Sequence, residues 1–81
     1  MGERRNQRGG RTASPASVLT PRELEILRQI AEGKRAADIA ANLGIAATTV
    51  EVHKRNIKEK LQLRTTVELT RYAIREGLVT L

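Results

Sequence analysis

The chain has 81 residues, a net charge of +6, one His, one Tyr, and no Phe, Trp or Cys. That length allows one domain at most, with a core limited to Leu, Ile, Val and Ala, and folding it buries only about 60% of the chain's surface. Without Cys there is no disulfide, which suits a reducing cytosol, and with one His there is no ordinary protein-built zinc site; no cofactor is expected.

No apolar run approaches the ~18 residues of a membrane span and no signal-peptide pattern opens the chain, so no membrane partner is expected. The charge is unevenly spread. Residues 1–19 hold Arg4, Arg5, Arg8 and Arg11 against Glu3, and Lys54, Arg55, Lys58, Lys60 and Arg64 crowd a second segment. A cluster of this kind attracts a polyanion or an acidic surface, unless it is only a solvated face.

The opening "MGERRNQRGGRTASPAS" is rich in Arg, Gly, Ser and Pro and nearly free of apolar residues. Residues 1–18 are therefore expected to be a disordered basic tail, either a linker or an arm that follows DNA. A single domain is expected over 19–81. Thr20 followed by Glu23 makes a capping box, Pro21 suits the first helical position, and Gly33 can stop the helix. Leu24, Leu27 and Ala31, widened by Ile26 and Ile30, give that helix an apolar stripe from about Pro21 to Glu32.

A short second helix follows, with Ala36, Ile39, Ala40 and Leu43 on one face and Gly44 at its end. Only Ile45, Ala46 and Ala47 separate Gly44 from "TTVEVHKRNIKEKL", residues 48–61. A link that short favours two helices crossing at a tight turn. On a wheel of about 100° per residue the third helix sends Val50, Ile57 and Leu61 to one side, and Thr48, Glu51, Val52 and Arg55 to the other. Val52 is the anomaly, an apolar residue on the polar face. His53 falls at the margin of the apolar stripe and suits packing better than catalysis, and Asp38 and Glu32 read as solvated surface acids.

The last helix has a second capping box, Thr65 with Glu68, and a stop at Gly77. It carries two apolar stripes: Leu69, Tyr72 and Ala73 on one side, and Val67, Thr70 and Ile74, continued by Leu78, on the other. A four-helix domain needs only one of them for its core. Elsewhere no Ser, Thr or Asp has a base and an orienting partner, so no enzyme activity is expected.

Ala40 stands four residues before Gly44 and Val50 six after it. A small residue, a turn glycine and an apolar plug at that spacing mark a DNA-binding helix–turn–helix. They lie within a longer match. "LTPRELEIL", "AEGK", "IAANLGI" and "TVEVHKRNIKEKL" together resemble the C-terminal output domain of the LuxR/FixJ/NarL family of bacterial transcription regulators over residues 19–79. The resemblance implies an all-α, four-helix domain whose third helix enters the major groove and whose fourth pairs two copies. It also implies promoter or operator DNA with an inverted repeat as partner, a homodimer on that DNA, and RNA polymerase as a further contact.

Carried over by position, the groove-facing residues of that family match Glu51, Val52 and Arg55, with Thr48 on the same face. Its phosphate contacts match Thr49, Lys54 and Lys60, and the charge cluster adds Lys58 and Arg64. An exposed Val then has a use, because it can pack on a thymine methyl group. Arg55 can bond guanine O6 and N7, and Glu51 can accept from a cytosine amine; otherwise Glu51 and Arg55 are an ordinary i, i+4 surface pair. The spare stripe of Val67, Thr70 and Ile74 is the expected dimer face. Three departures bear on stability: Arg35 and Ala46 replace capping Ser or Thr, and Gln62 replaces a Gly, so the end of the third helix is expected to be less sharply defined. Rival readings are a promoter-reading helix–turn–helix of the sigma-factor kind and a protein-interaction module with a basic docking face.

Overall fold

The computed structural model describes residues 18–79. Four helices follow one another there: α1 (Pro21–Ala31), α2 (Ala36–Leu43), α3 (Ala47–Leu61) and α4 (Thr66–Arg75). There is no strand among the described residues, so the all-α class expected from the sequence holds. Apart from Val18, the tail expected at 1–18 lies outside the described residues, as do the last two residues of the domain expected over 19–81.

The helix starts follow the local chemistry. At α1 the Glu23 N–H donates to Thr20 Oγ1 (3.1 Å) and the Thr20 N–H donates to Glu23 Oε1 (2.9 Å). The same reciprocal pair opens α4, with the Glu68 N–H on Thr65 Oγ1 (3.1 Å) and the Thr65 N–H on Glu68 Oε1 (3.0 Å). Arg35 has no acceptor, so at α2 only half of such a box forms: the Arg35 N–H donates to Asp38 Oδ2 (3.2 Å). Asp38 is exposed, as expected, but it is also a cap. Ala46 gives α3 no side-chain cap at all.

The ends share one device. The N–H groups of Lys34, Ile45, Leu63 and Leu78 each reach back five residues, to the carbonyls of Gln29, Ala40, Lys58 and Ala73, at 2.8–3.1 Å. This closure needs a residue in the left-handed region. Gly33, Gly44 and Gly77 supply it at three ends, and Gln62 (φ 58°, ψ 41°) supplies it at α3. The end expected to blur where Gln replaces Gly is therefore well defined, and the penalty falls on the Gln62 backbone instead.

Helix α1 is the hub, packing on α2, α3 and α4, while α2 packs on α3. Ile26, Leu27, Ile39, Val50, Ile57 and Leu69 are fully buried, and Ala40 and Ala73 allow the helices to close on one another. The core is wholly aliphatic, as composition required. Leu78, assigned by helical periodicity to the spare stripe of the last helix, packs on the core instead. It stands past Gly77, where the chain has turned and the helical wheel no longer applies.

Two polar ties hold α1 to its neighbours. Gln29, buried, accepts from Asn42 Nδ2 of α2 (2.9 Å) and donates to Glu25 (3.1 Å). The Glu23 side chain, only 5% exposed, accepts from Lys60 Nζ of α3 at 2.7 Å. Burial alone would raise the Glu23 carboxyl; the Lys60 ammonium and the Thr20 N–H more than offset this and hold it below its ordinary value of 4.5. A carboxyl lowered in the folded state contributes stability that is complete above its unfolded value and lost as the pH falls through its folded value. Urea unfolding of Glu23→Gln should therefore show a loss of about 1 kcal/mol at neutral pH, shrinking as the pH falls below the ordinary carboxylate value and the native carboxyl takes up a proton. A gap independent of pH would remove the charge from this explanation.

Relaxing the strain at Gln62 should have the opposite effect. Gln62→Gly is expected to stabilise the fold by about 0.5–1 kcal/mol, the left-handed penalty less the extra entropy of an unfolded glycine. Thermal unfolding measures it, and an unchanged or lower midpoint would mean that Gln62 is not strained.

Candidate nucleic-acid interface

The helix–turn–helix is formed by α2, the turn at Gly44–Ala46, and α3. Ala40 is buried at the close approach, Gly44 turns the chain at φ +69°, and Val50 is fully buried between the helices. All three residues of the sequence motif thus have the roles their types suggested. Helix α3 begins at Ala47, one residue earlier than expected.

The sides of α3 differ as the wheel indicated. Val50 and Ile57 are buried and Leu61 packs against the core. Thr48, Glu51, Val52 and Arg55 are all exposed. Val52 is 42% exposed, which makes it one of three large hydrophobics that the described residues leave to solvent. The others are Val18 and Val67. His53 is half-buried between the two sides.

The cations are not equivalent. Lys54 Nζ lies 3.8 Å from Glu51 Oε1, so Glu51 pairs one turn along with Lys54 rather than with Arg55. Arg55 has no acidic partner among the described residues, and its five guanidinium donors remain available. Lys58 is half-buried and Arg64 and Thr49 are exposed. Lys60 is bound to Glu23, with 39% of its side chain still open to solvent. The ion pair makes Lys60 a structural residue first, a role its place in the basic cluster did not signal. No local pattern could have revealed it, because the partners are 37 residues apart in sequence.

Arg55, Lys58 and Arg64, with Glu59, Gln62 and Leu63, line a shallow open groove beside the C-terminal end of α3. The groove continues the exposed face of α3 toward α4. Arg55, Lys58 and Arg64 were already legible as members of one basic cluster; that Gln62 lies among them was not. On α4, Val67 is 60% exposed, and Thr70 and Ile74 are half-buried.

Such a surface suits an extended polyanion and offers little to a small substrate. Among the described residues no group of His, Cys, Asp or Glu could hold a metal ion, and no helix is long and apolar enough to cross a membrane.

Comparison with known proteins agrees with this geometry. The family model GerE, described as bacterial regulatory proteins of the luxR family, matches residues 17–73. The transcriptional regulatory protein MctR of Rhizobium johnstonii is 43% identical over 72 residues, which cover 89% of this chain and 34% of that protein. The oxygen regulatory protein NreC of Staphylococcus aureus is 42% identical over 74 residues, covering 91% of this chain and 34% of that one. The chain thus spans about a third of the length of these curated relatives. It belongs to the luxR family of bacterial regulatory proteins, as a DNA-binding helix–turn–helix domain.

Proposed function

We propose that this chain is the output domain of a bacterial response regulator, with α3 reading the major groove of duplex DNA and α4 pairing two copies on an inverted repeat. One observation carries the reading: Thr48, Glu51, Val52 and Arg55 are exposed together on α3, while its opposite side, Val50 and Ile57, is fully buried. That side anchors the helix, and the exposed side is left for base edges. Val52 meets a thymine methyl, Arg55 gives two parallel bonds to guanine, and Glu51 accepts from cytosine. Thr49, Lys54, Lys58 and Arg64 contact phosphates, and Lys60 adds its remaining donors while holding Glu23. The domain extends from Leu19 to the end of the chain. In the cytoplasm its further partner is RNA polymerase at the bound promoter.

These roles separate in binding measurements. With the five cations Lys54, Arg55, Lys58, Lys60 and Arg64 meeting phosphates and bases, log affinity against log salt should fall with a slope of about −4 or steeper. Arg55→Ala should cost about 1–3 kcal/mol on the preferred site only and relax preference at one base pair. A slope near zero would remove DNA as the ligand. A uniform loss across sequences in Arg55→Ala would mean that the reading residues lie elsewhere.

Val67, Thr70 and Ile74 form the pairing face. The stripe is narrow, well short of what a standard interface of about 1,600 Å² requires. Pairing therefore depends on two half-sites one helical turn apart, which hold the copies together, and the free domain should be monomeric at micromolar concentration. In Val67→Glu with Ile74→Glu, the advantage of a full inverted repeat over a half-site should vanish while half-site affinity stays nearly unchanged. If the full-site advantage survives, the copies pair through another surface.

A further inference from the structure

Gln62 is the only non-glycine residue in the left-handed region among the described residues. The three other helix ends use the same closing hydrogen bond and have Gly at the equivalent position. Space does not explain those glycines, since a Cβ at Gly33, Gly44 or Gly77 would meet nothing within 4 Å. The common demand is the backbone angle, which disfavours any side chain equally at position 62. A side chain present there despite that demand points to a use.

Its surroundings suggest which use. Gln62 lines the groove with Arg55, Lys58 and Arg64, three cations against the single carboxylate of Glu59. Among the described residues the Gln62 amide makes no side-chain hydrogen bond within the protein, so both N–H donors are available. Arg55 belongs both to this groove and to the exposed face of α3, so an anion here would be continuous with whatever that face reads. A duplex carries such anions at regular spacing along its backbone.

We propose that Gln62 is a DNA contact: its side-chain amide donates to a backbone phosphate seated between Lys58 and Arg64, next to the base pair that Arg55 reads. This rests on DNA binding through α3, as proposed above. Because the amide is neutral it displaces no counterion, so it should add affinity without adding salt dependence. That separates it from a lysine contact.

The test compares the unaltered chain with Gln62→Gly, Gln62→Glu and Lys58→Ala, measuring thermal midpoint and duplex affinity over a salt series. Gln62→Gly should unfold a few degrees higher yet bind every duplex roughly threefold to tenfold more weakly, with an unchanged salt slope. Gln62→Glu should lose more, and Lys58→Ala should flatten the slope by about one. If Gln62→Gly binds as tightly as the unaltered chain, or loses affinity together with slope, the assignment is overturned, because the amide then makes no contact or the change has only displaced nearby cations. If the unaltered chain shows no salt-dependent duplex binding, both this assignment and the reading beneath it fall.

Discussion

The Glu23 carboxylate is buried in a domain whose core is entirely aliphatic, and it is satisfied from two directions. The Thr20 N–H donates to it from the start of α1, and Lys60 Nζ donates to it from the last turn of α3. One group therefore caps the hub helix and fixes the far end of α3 against it. Val50 and Ile57, fully buried, fix the rest of α3. A recognition helix must be rigid relative to its scaffold, because base contacts tolerate little displacement. In a chain too short for a large core, a charged anchor at the helix end supplements aliphatic packing at its middle.

The anchoring also shapes the electrostatics of the outer face. Lys60 is drawn inward to Glu23 and Lys54 leans toward Glu51, so among the described residues the cations of α3 without an acidic partner are Arg55 and Lys58, and both line the groove. At the start of α4, Glu68 Oε1 accepts from the N–H groups of Arg64 and Thr65, and beside it the apolar Val67 is exposed. The surface proposed to face phosphates and the stripe proposed to pair two copies thus start from separate helices. The exposed Val67 also favours a regulator that pairs with itself over a promoter reader of the sigma-factor kind, which has no need of such a stripe.

Features set by short-range spacing were legible in the sequence. The capping boxes at Thr20 and Thr65, the glycine stops, the triad of Ala40, Gly44 and Val50, and the two sides of α3 all depend on residues within about three turns of one another. What depends on the third dimension was not legible. Glu23 read only as a cap because its second partner is 37 residues away. Leu78 read as part of the helix-four stripe because periodicity cannot register the turn at Gly77. Glu51 was weighed as a partner of Arg55, whereas the side-chain conformations send it to Lys54. At Gln62 the sequence marked the right position and the wrong consequence: the helix closes properly and the backbone bears the strain.

The central claim is that the exposed face of α3 is the surface that meets duplex DNA. The most direct measurement is a nuclear magnetic resonance titration of the isotopically labelled chain with a duplex selected from a random pool. Side-chain and amide signals of Thr48, Glu51, Val52 and Arg55 should shift most, and those of Gln62 and Arg64 should follow. Val50 and Ile57 should move little, and the outer surfaces of α1 and α2 should stay silent. Shifts centred on α1 and α2, with the α3 face unmoved, would contradict DNA reading by α3.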